Sequence, residues 1–170
     1  MDVLAAIHHR RSVRRFLPDA VPAATVDELL AAAMAAPSAG NQQPWEFVVV
    51  DRRELLDAVA TVNPYAEMCR EAPLGILVCA DPRREKFPGF WVQDCAAAVE
   101  NLLLAATARG LGAVWTGIHP LAERVAGMRR LFALPGEIEP LAFVVLGLPA
   151  SEPLPAPDRF DLGRVHRNRW

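Results

Sequence analysis

Arginine is concentrated at the two ends of this chain. The N-terminal part carries Arg10-Arg11-Ser12-Val13-Arg14-Arg15-Phe16, and the chain closes on His166-Arg167-Asn168-Arg169-Trp170. The formal net charge of the whole is −2, so these cations are local features and not a general basic surplus. A guanidinium presents a planar fork that donates two parallel hydrogen bonds, which suits phosphate. If the fold brings the two ends together, they form a site for one small anionic ligand, with a mononucleotide-type phosphate as the natural candidate. A solvated basic face is the plain alternative. Nucleic acid fits poorly, because no aromatic ladder flanks the arginines and the net charge is negative.

Other chemistries find little footing. Cys69, Cys79 and Cys95 make no CxxC pair, and with His8, His9, His119 and His166 they give no metal-ligand spacing. They read as buried thiols of a reducing compartment. His8-His9 reads as a solvated helix end. Gly110-Leu111-Gly112 lacks the third glycine of a dinucleotide fingerprint, since position 115 is Trp, and it follows a helix instead of a strand. Neither a GxxxxGK[ST] loop nor a GxSxG elbow occurs. No run of about 18 uncharged apolar residues suggests a membrane span, and Met1-Asp2 does not open a signal peptide. A cytoplasmic protein is expected.

The elements that must position the arginines can be read from periodicity and punctuation. The chain has 170 residues, expected to form one domain over 1–170, and 52% of them are hydrophobic. At that size roughly 70% of the unfolded surface can be buried. The high apolar fraction points to a large core or to a surface hidden in an oligomer. Val3, Leu4 and Ile7 predict a short helix with Asp2 in its first turn. Thr25 to Glu28 spells a capping box, which predicts a helix over Val26–Ala36 stopped by Pro37. Arg53–Val62, Val92–Arg109 and Leu121–Phe132 read as further helices, with Gly110 as a C-terminal stop. Val92–Arg109 is apolar nearly all round, which implies a central helix or a subunit interface. Phe47–Val50, Gly75–Ala80 and Leu141–Gly147 read as buried strands, and Ala113–Ile118 as an irregular strand or turn. The pattern predicts an α+β fold with a small sheet flanked by helices.

Four blocks, taken in order, resemble the short-chain form of the FMN-dependent nitroreductase family. They are the Arg10–Phe16 block, Ala36-Pro-Ser-Ala-Gly-Asn-Gln-Gln-Pro-Trp45, Gly110-Leu-Gly-Ala-Val-Trp-Thr-Gly117, and the terminal Val165-His-Arg-Asn-Arg-Trp170. The resemblance spans essentially the whole chain. It implies a nitroreductase-like fold: a small, mostly antiparallel central sheet, with the long helix packed at a homodimer interface. It implies that Arg10, Ser12 and Arg169 hold the FMN phosphate, with Arg167 nearby. Arg14 would reach the pyrimidine edge of the ring, where a cation favours the reduced, anionic flavin. Arg11 is open between the cofactor and an acidic partner. Pro37, Ser38 and Asn41 would come from the other subunit, and Thr116 and Gly117 would lie along the flavin. Gln43 and Trp45 are open between ligand contact and structure.

The implied activity is a ping-pong transfer of hydride from NAD(P)H through flavin N5 to an electron-poor acceptor, such as a nitroaromatic or quinone, with no catalytic side chain. The alternatives are a flavin-binding protein without turnover and a relative with different chemistry, either flavin destruction or dehalogenation. The substrate lid is expected in the 63–91 region, where Tyr65, Phe87, Phe90 and Trp91 could stack on a planar substrate; covering the core is the competing reading.

Overall fold

Two strands of this chain are apolar along nearly their whole length, and the fold places them where both faces are covered. A computed structural model describes residues 1–170. Its strands are β1 (Trp45–Val50), β2 (Leu74–Ala80), β3 (Gly112–Gly117) and β4 (Glu139–Gly147). They form one antiparallel sheet in the order β1-β2-β4-β3. β2 is buried at every position and β4 at all but its first. Alternate side chains of a strand point to opposite faces. Thus Ile76, Val78, Val144 and Leu146 pack under one helical layer, and Leu77, Cys79, Phe143 and Val145 under another. That double covering explains why these strands read as continuous apolar runs.

The first layer consists of α2 (Ala23–Met34) and α4 (Trp91–Ala108); the second holds α3 (Arg53–Val62) and α5 (Ala122–Leu131). α1 (Val3–His9) packs on α4. The α+β expectation, a small sheet flanked by helices, is met. The element bounds differ from the sequence reading in instructive places. Asp2 lies just outside α1 as its N-cap, accepting the Ala5 N–H at 3.0 Å. The capping box at Thr25 is not used. α2 begins at Ala23, behind Pro22, whose φ of −59° is preset for helix entry. Glu28 pairs instead with Arg109, at 2.8 Å.

β3 is a regular six-residue edge strand, not an irregular turn. Gly110, at φ +75°, ends the α4 segment as expected. α4 buries Cys95, Ala98, Val99, Leu102, Leu103 and Ala106, one broad stripe; Gln93, Glu100 and Ala108 are exposed. It is therefore covered on one side within the chain, not all round. The 63–91 region expected to hold the lid contains β2, as the strand reading of Gly75–Ala80 required. A 3-10 turn over Pro64–Arg70 buries Ala66, Met68 and Cys69, while Phe87 and Phe90 stand exposed beyond it. No helix is long and apolar enough to cross a membrane.

The three cysteines are free and buried. Burial pushes each thiol up to about 12. A thiol raised this way stabilises the fold fully below its unfolded value of about 8.5 and loses that contribution as pH rises toward 12. At neutral pH all three stay protonated. Iodoacetamide is expected to label none of them in the native protein, read by mass spectrometry, and to label all three after denaturation. Native labelling at the rate of a free thiol would contradict the burial.

Candidate functional site

The arginine segment is fixed along the free edge of the sheet. Val13 N–H donates to the Ala113 carbonyl at 3.0 Å, and Ser12 makes a parallel bridge to Ala113. Gly112 permits this approach, because a Cβ there would fall 2.7 Å from Val13 Cγ1. Farther along, Phe16 is buried and bridges Pro149, while Leu17 N–H donates to Leu148 O at 2.9 Å. Residues 12–17 are thus held between the start of β3 and the end of β4.

Within this segment the cations differ in their partners. Arg10 pairs with Glu100 at 3.6 Å, and Arg15 with Glu71 at 3.1 Å. Arg11 donates to the carbonyls of Leu154, at 3.1 Å, and Arg10, at 2.5 Å. Arg14 is exposed, with one long bond to Ser12 O at 3.4 Å. The acidic partner left open for Arg11 therefore belongs to Arg10. Arg11 and Arg14 carry charge that no carboxylate of the chain neutralises.

The free edge continues to Gly117. Since the Ala113 carbonyl faces Val13, ladder alternation puts the backbone groups of Trp115 and Gly117 on the same outer edge. The Gly117 carbonyl accepts from Arg124 Nη1 at 2.9 Å and from Asn63 Nδ2 at 3.3 Å. A Cβ at Gly117 would meet nothing within 4 Å, and its φ lies outside the left-handed region. Neither packing nor backbone strain within the chain accounts for a glycine there. Thr116 is buried and its hydroxyl donates to Phe143 O at 2.8 Å, so that side chain is committed to the sheet and turned away from the edge. From Ala113 to Gly117 the edge runs about 13 Å at the rise of an extended strand.

The second group lies elsewhere. Pro37, Ser38 and Asn41 precede β1, on the opposite edge, three strand spacings or about 14 Å from β3. Pro37 and Asn41 are exposed and Ser38 half-buried. Gly40, Asn41 and Gln43 all adopt positive φ. Ser38 Oγ accepts the Gln43 N–H at 3.0 Å, and Trp45 is buried in the core.

The C-terminal tail passes the N-terminal arginines at Leu154, whose carbonyl accepts from Arg11 Nε. Residues 151–170 are exposed throughout, and no hydrogen bond or ion pair links Arg167 or Arg169 to Arg10, Ser12 or Arg14. Phe160, Leu162 and Trp170 of the tail are exposed apolar side chains.

Sequence reasoning missed Gln42 and Asp94, which are buried and bonded beneath the Ser38–Asn41 turn, and Arg124 with Asn63 at Gly117. A polar residue inside the apolar α4 stripe was the available signal for Asp94. Arg124 also lies over the Tyr65 ring, 5.1 Å from its centroid. No group of residues in the structure is arranged to hold a metal ion.

Residues 7–148 match the family model described as the Nitroreductase family. A Methanothermobacter thermautotrophicus protein with the provisional name NADH dehydrogenase/NAD(P)H nitroreductase is 49% identical over 170 residues, covering 100% of this chain and 88% of that protein. A Parabacteroides distasonis crystal structure under the same provisional name superposes with a TM-score of 0.94 at 38% identity, over 99% of this chain and 98% of that one. A provisionally named nitroreductase of Desulfovibrio desulfuricans, solved in complex with FMN, gives 0.83 at 33% identity, over 100% and 98%.

Proposed function

Because this chain belongs to the nitroreductase family, we propose that it is an FMN-dependent oxidoreductase passing electrons from NAD(P)H to an electron-poor organic acceptor. The observation that carries this reading is the free edge of β3. Uncompensated Arg11 and Arg14 stand at one end, and at the other Gly117 opens onto space that nothing in the chain fills. These residues fit a ligand with a charged end and a flat end. Arg11, Ser12 and Arg14 would hold the anionic and polar parts by charge-assisted hydrogen bonds. Arg10 would contribute through its partly neutralised guanidinium. Gly117 would offer its N–H along the ring, with Thr116 behind it as sheet structure. When bound, FMN would accept a hydride from NAD(P)H and deliver it to an acceptor taking the same place.

The separation of Pro37, Ser38 and Asn41 from this edge favours a site built by two chains. A homodimer would bring that turn from the partner subunit onto the ring. It would also give Arg167 and Arg169 a phosphate to meet, and cover the apolar side chains of the tail and of α1, where Val3, Leu4 and Ile7 are exposed. A nitroaromatic or quinone is the acceptor class.

The test is the visible spectrum of the purified protein, taken before and after NADH or NADPH is added without air. Flavin bands that bleach, and return on adding a quinone, are the expected result. Bands that persist would leave a flavin-binding role without turnover. A colourless protein that takes up no added FMN would overturn the assignment. Arg14→Ala is expected to fold normally and to bind FMN about ten- to a hundredfold more weakly, the range of one charge-assisted contact. Unchanged affinity and unchanged reduction would remove Arg14 from the site.

A further inference from the structure

The turn that carries Ser38 and Asn41 rests on a buried polar pair. Gln42 and Asp94 are each 5% exposed. Asp94 Oδ2 accepts from Gln42 Nε2 at 2.6 Å, and Asp94 Oδ1 accepts the Ala39 N–H at 3.0 Å. The other end of the Gln42 amide, Oε1, accepts the N–H groups of Lys86 at 2.9 Å and Phe87 at 3.2 Å. Those two donors fix the amide orientation, so Nε2 has to face the carboxylate. Lys86 Nζ also donates to Gly40 O at 3.0 Å. A Cβ on Gly40 would fall 2.5 Å from the Phe87 ring, so the turn and the aromatic segment touch directly.

Burying a carboxylate and an amide in a helix–sheet layer is costly unless every polar atom is satisfied. An apolar residue in the α4 stripe would serve packing alone. The turn above is also conformationally expensive. Gly40, Asn41 and Gln43 lie at φ +52°, +54° and +48°, and such non-glycine conformations persist only where the surroundings over-determine them. The pair supplies that determination through one hydrogen bond between its members and three that reach Ala39, Lys86 and Phe87.

We propose that Asp94 and Gln42 are positioning residues for the cofactor half-site. They set the shape of the Ser38–Asn41 turn and lock it to Lys86–Phe87, so that the turn covering the flavin and the aromatic segment beside it form one rigid unit. The inference rests on the FMN reading given above.

The pair allows a test by polarity exchange. In Asp94→Asn, the Ala39 N–H keeps the amide oxygen, and two NH2 groups then face each other. In Gln42→Glu, two carboxylates do. In the double variant, the amide introduced at position 94 donates to the carboxylate introduced at position 42. The second oxygen of that carboxylate still accepts from Lys86 and Phe87, so every bond is restored and only the one between positions 94 and 42 has donor and acceptor exchanged. FMN affinity is read by flavin fluorescence well below the melting temperature, with apo-protein melting recorded beside it. Each single variant is expected to bind FMN at least about tenfold more weakly, and the double variant to recover most of that loss. Two outcomes would overturn the positioning role alone: single variants that melt lower yet bind FMN like wild type, or a double variant that binds as weakly as the singles. A wild-type protein that binds no FMN would overturn the flavin reading, and this role with it.

Discussion

Gly117→Leu is expected to leave the protein folded and to weaken flavin binding at least about a hundredfold. The first half follows from space: a Cβ at this position meets no atom of the chain within 4 Å, and the backbone there is one that any residue adopts. The side chain would project from an edge strand, where substitutions usually change stability by no more than about 0.5 kcal/mol. The second half follows from the same space being where the ring is proposed to lie, against the unpaired N–H of the strand. A leucine would rise from the sheet face at this residue and crowd a flat ligand lying over that face beside the outward N–H. Affinity is expected to fall at least a hundredfold, about 2.7 kcal/mol. Thermal melting of the apo protein and fluorescence titration with FMN decide the matter together. Unaltered melting with unaltered affinity would move the flavin away from β3.

Gly75→Ala is expected to destabilise the fold more than other single-methyl additions to the sheet. Gly75 sits in β2, and the room left by its missing side chain is filled by Phe143 from β4. A Cβ there would lie 2.2 Å from Phe143 Cζ, with Leu56 Cδ2 at 3.2 Å. Phe143 is fully buried and stacks on Phe132, with 6.2 Å between ring centroids, so it has nowhere to retreat. Overpacking a well-filled core typically costs about 1–3 kcal/mol, and a rigid ring against a central strand belongs at the upper end. Phe143→Leu removes the clash. The two substitutions are expected to be strongly non-additive in a urea-unfolding cycle, with the double variant more stable than the sum of the singles. Simple additivity would show that the ring and the glycine do not share this space.

Part of the proposed site was legible because it depends on residue type. Guanidinium groups at Arg10 to Arg15 announce themselves in one dimension, whereas Pro37–Asn41 and Gly117 entered only through the resemblance of four sequence blocks to a family. The buried strands also announce themselves: apolar runs such as Leu74–Ala80 have few other fates. Helix starts were harder, because capping is a competition. Thr25 could cap, but Pro22 and two alanines let α2 begin earlier.

What the sequence by itself determined, then, was most of the set of elements and the cluster of arginines from which the proposed site is argued. The tertiary structure alone decided how those residues are shared out. It committed Arg10 to Glu100 and Arg15 to Glu71 while leaving Arg11 and Arg14 without a carboxylate. It turned the Thr116 hydroxyl into the sheet and exposed Gly117. It set the Ser12–Val13 segment beside β3 and the Ser38–Asn41 turn beside β1, at opposite edges of the sheet. It also buried Gln42 against Asp94. These are pairings between residues tens of positions apart. They depend on strand order and on which groups compete for each partner, and neither leaves a periodic mark in the chain.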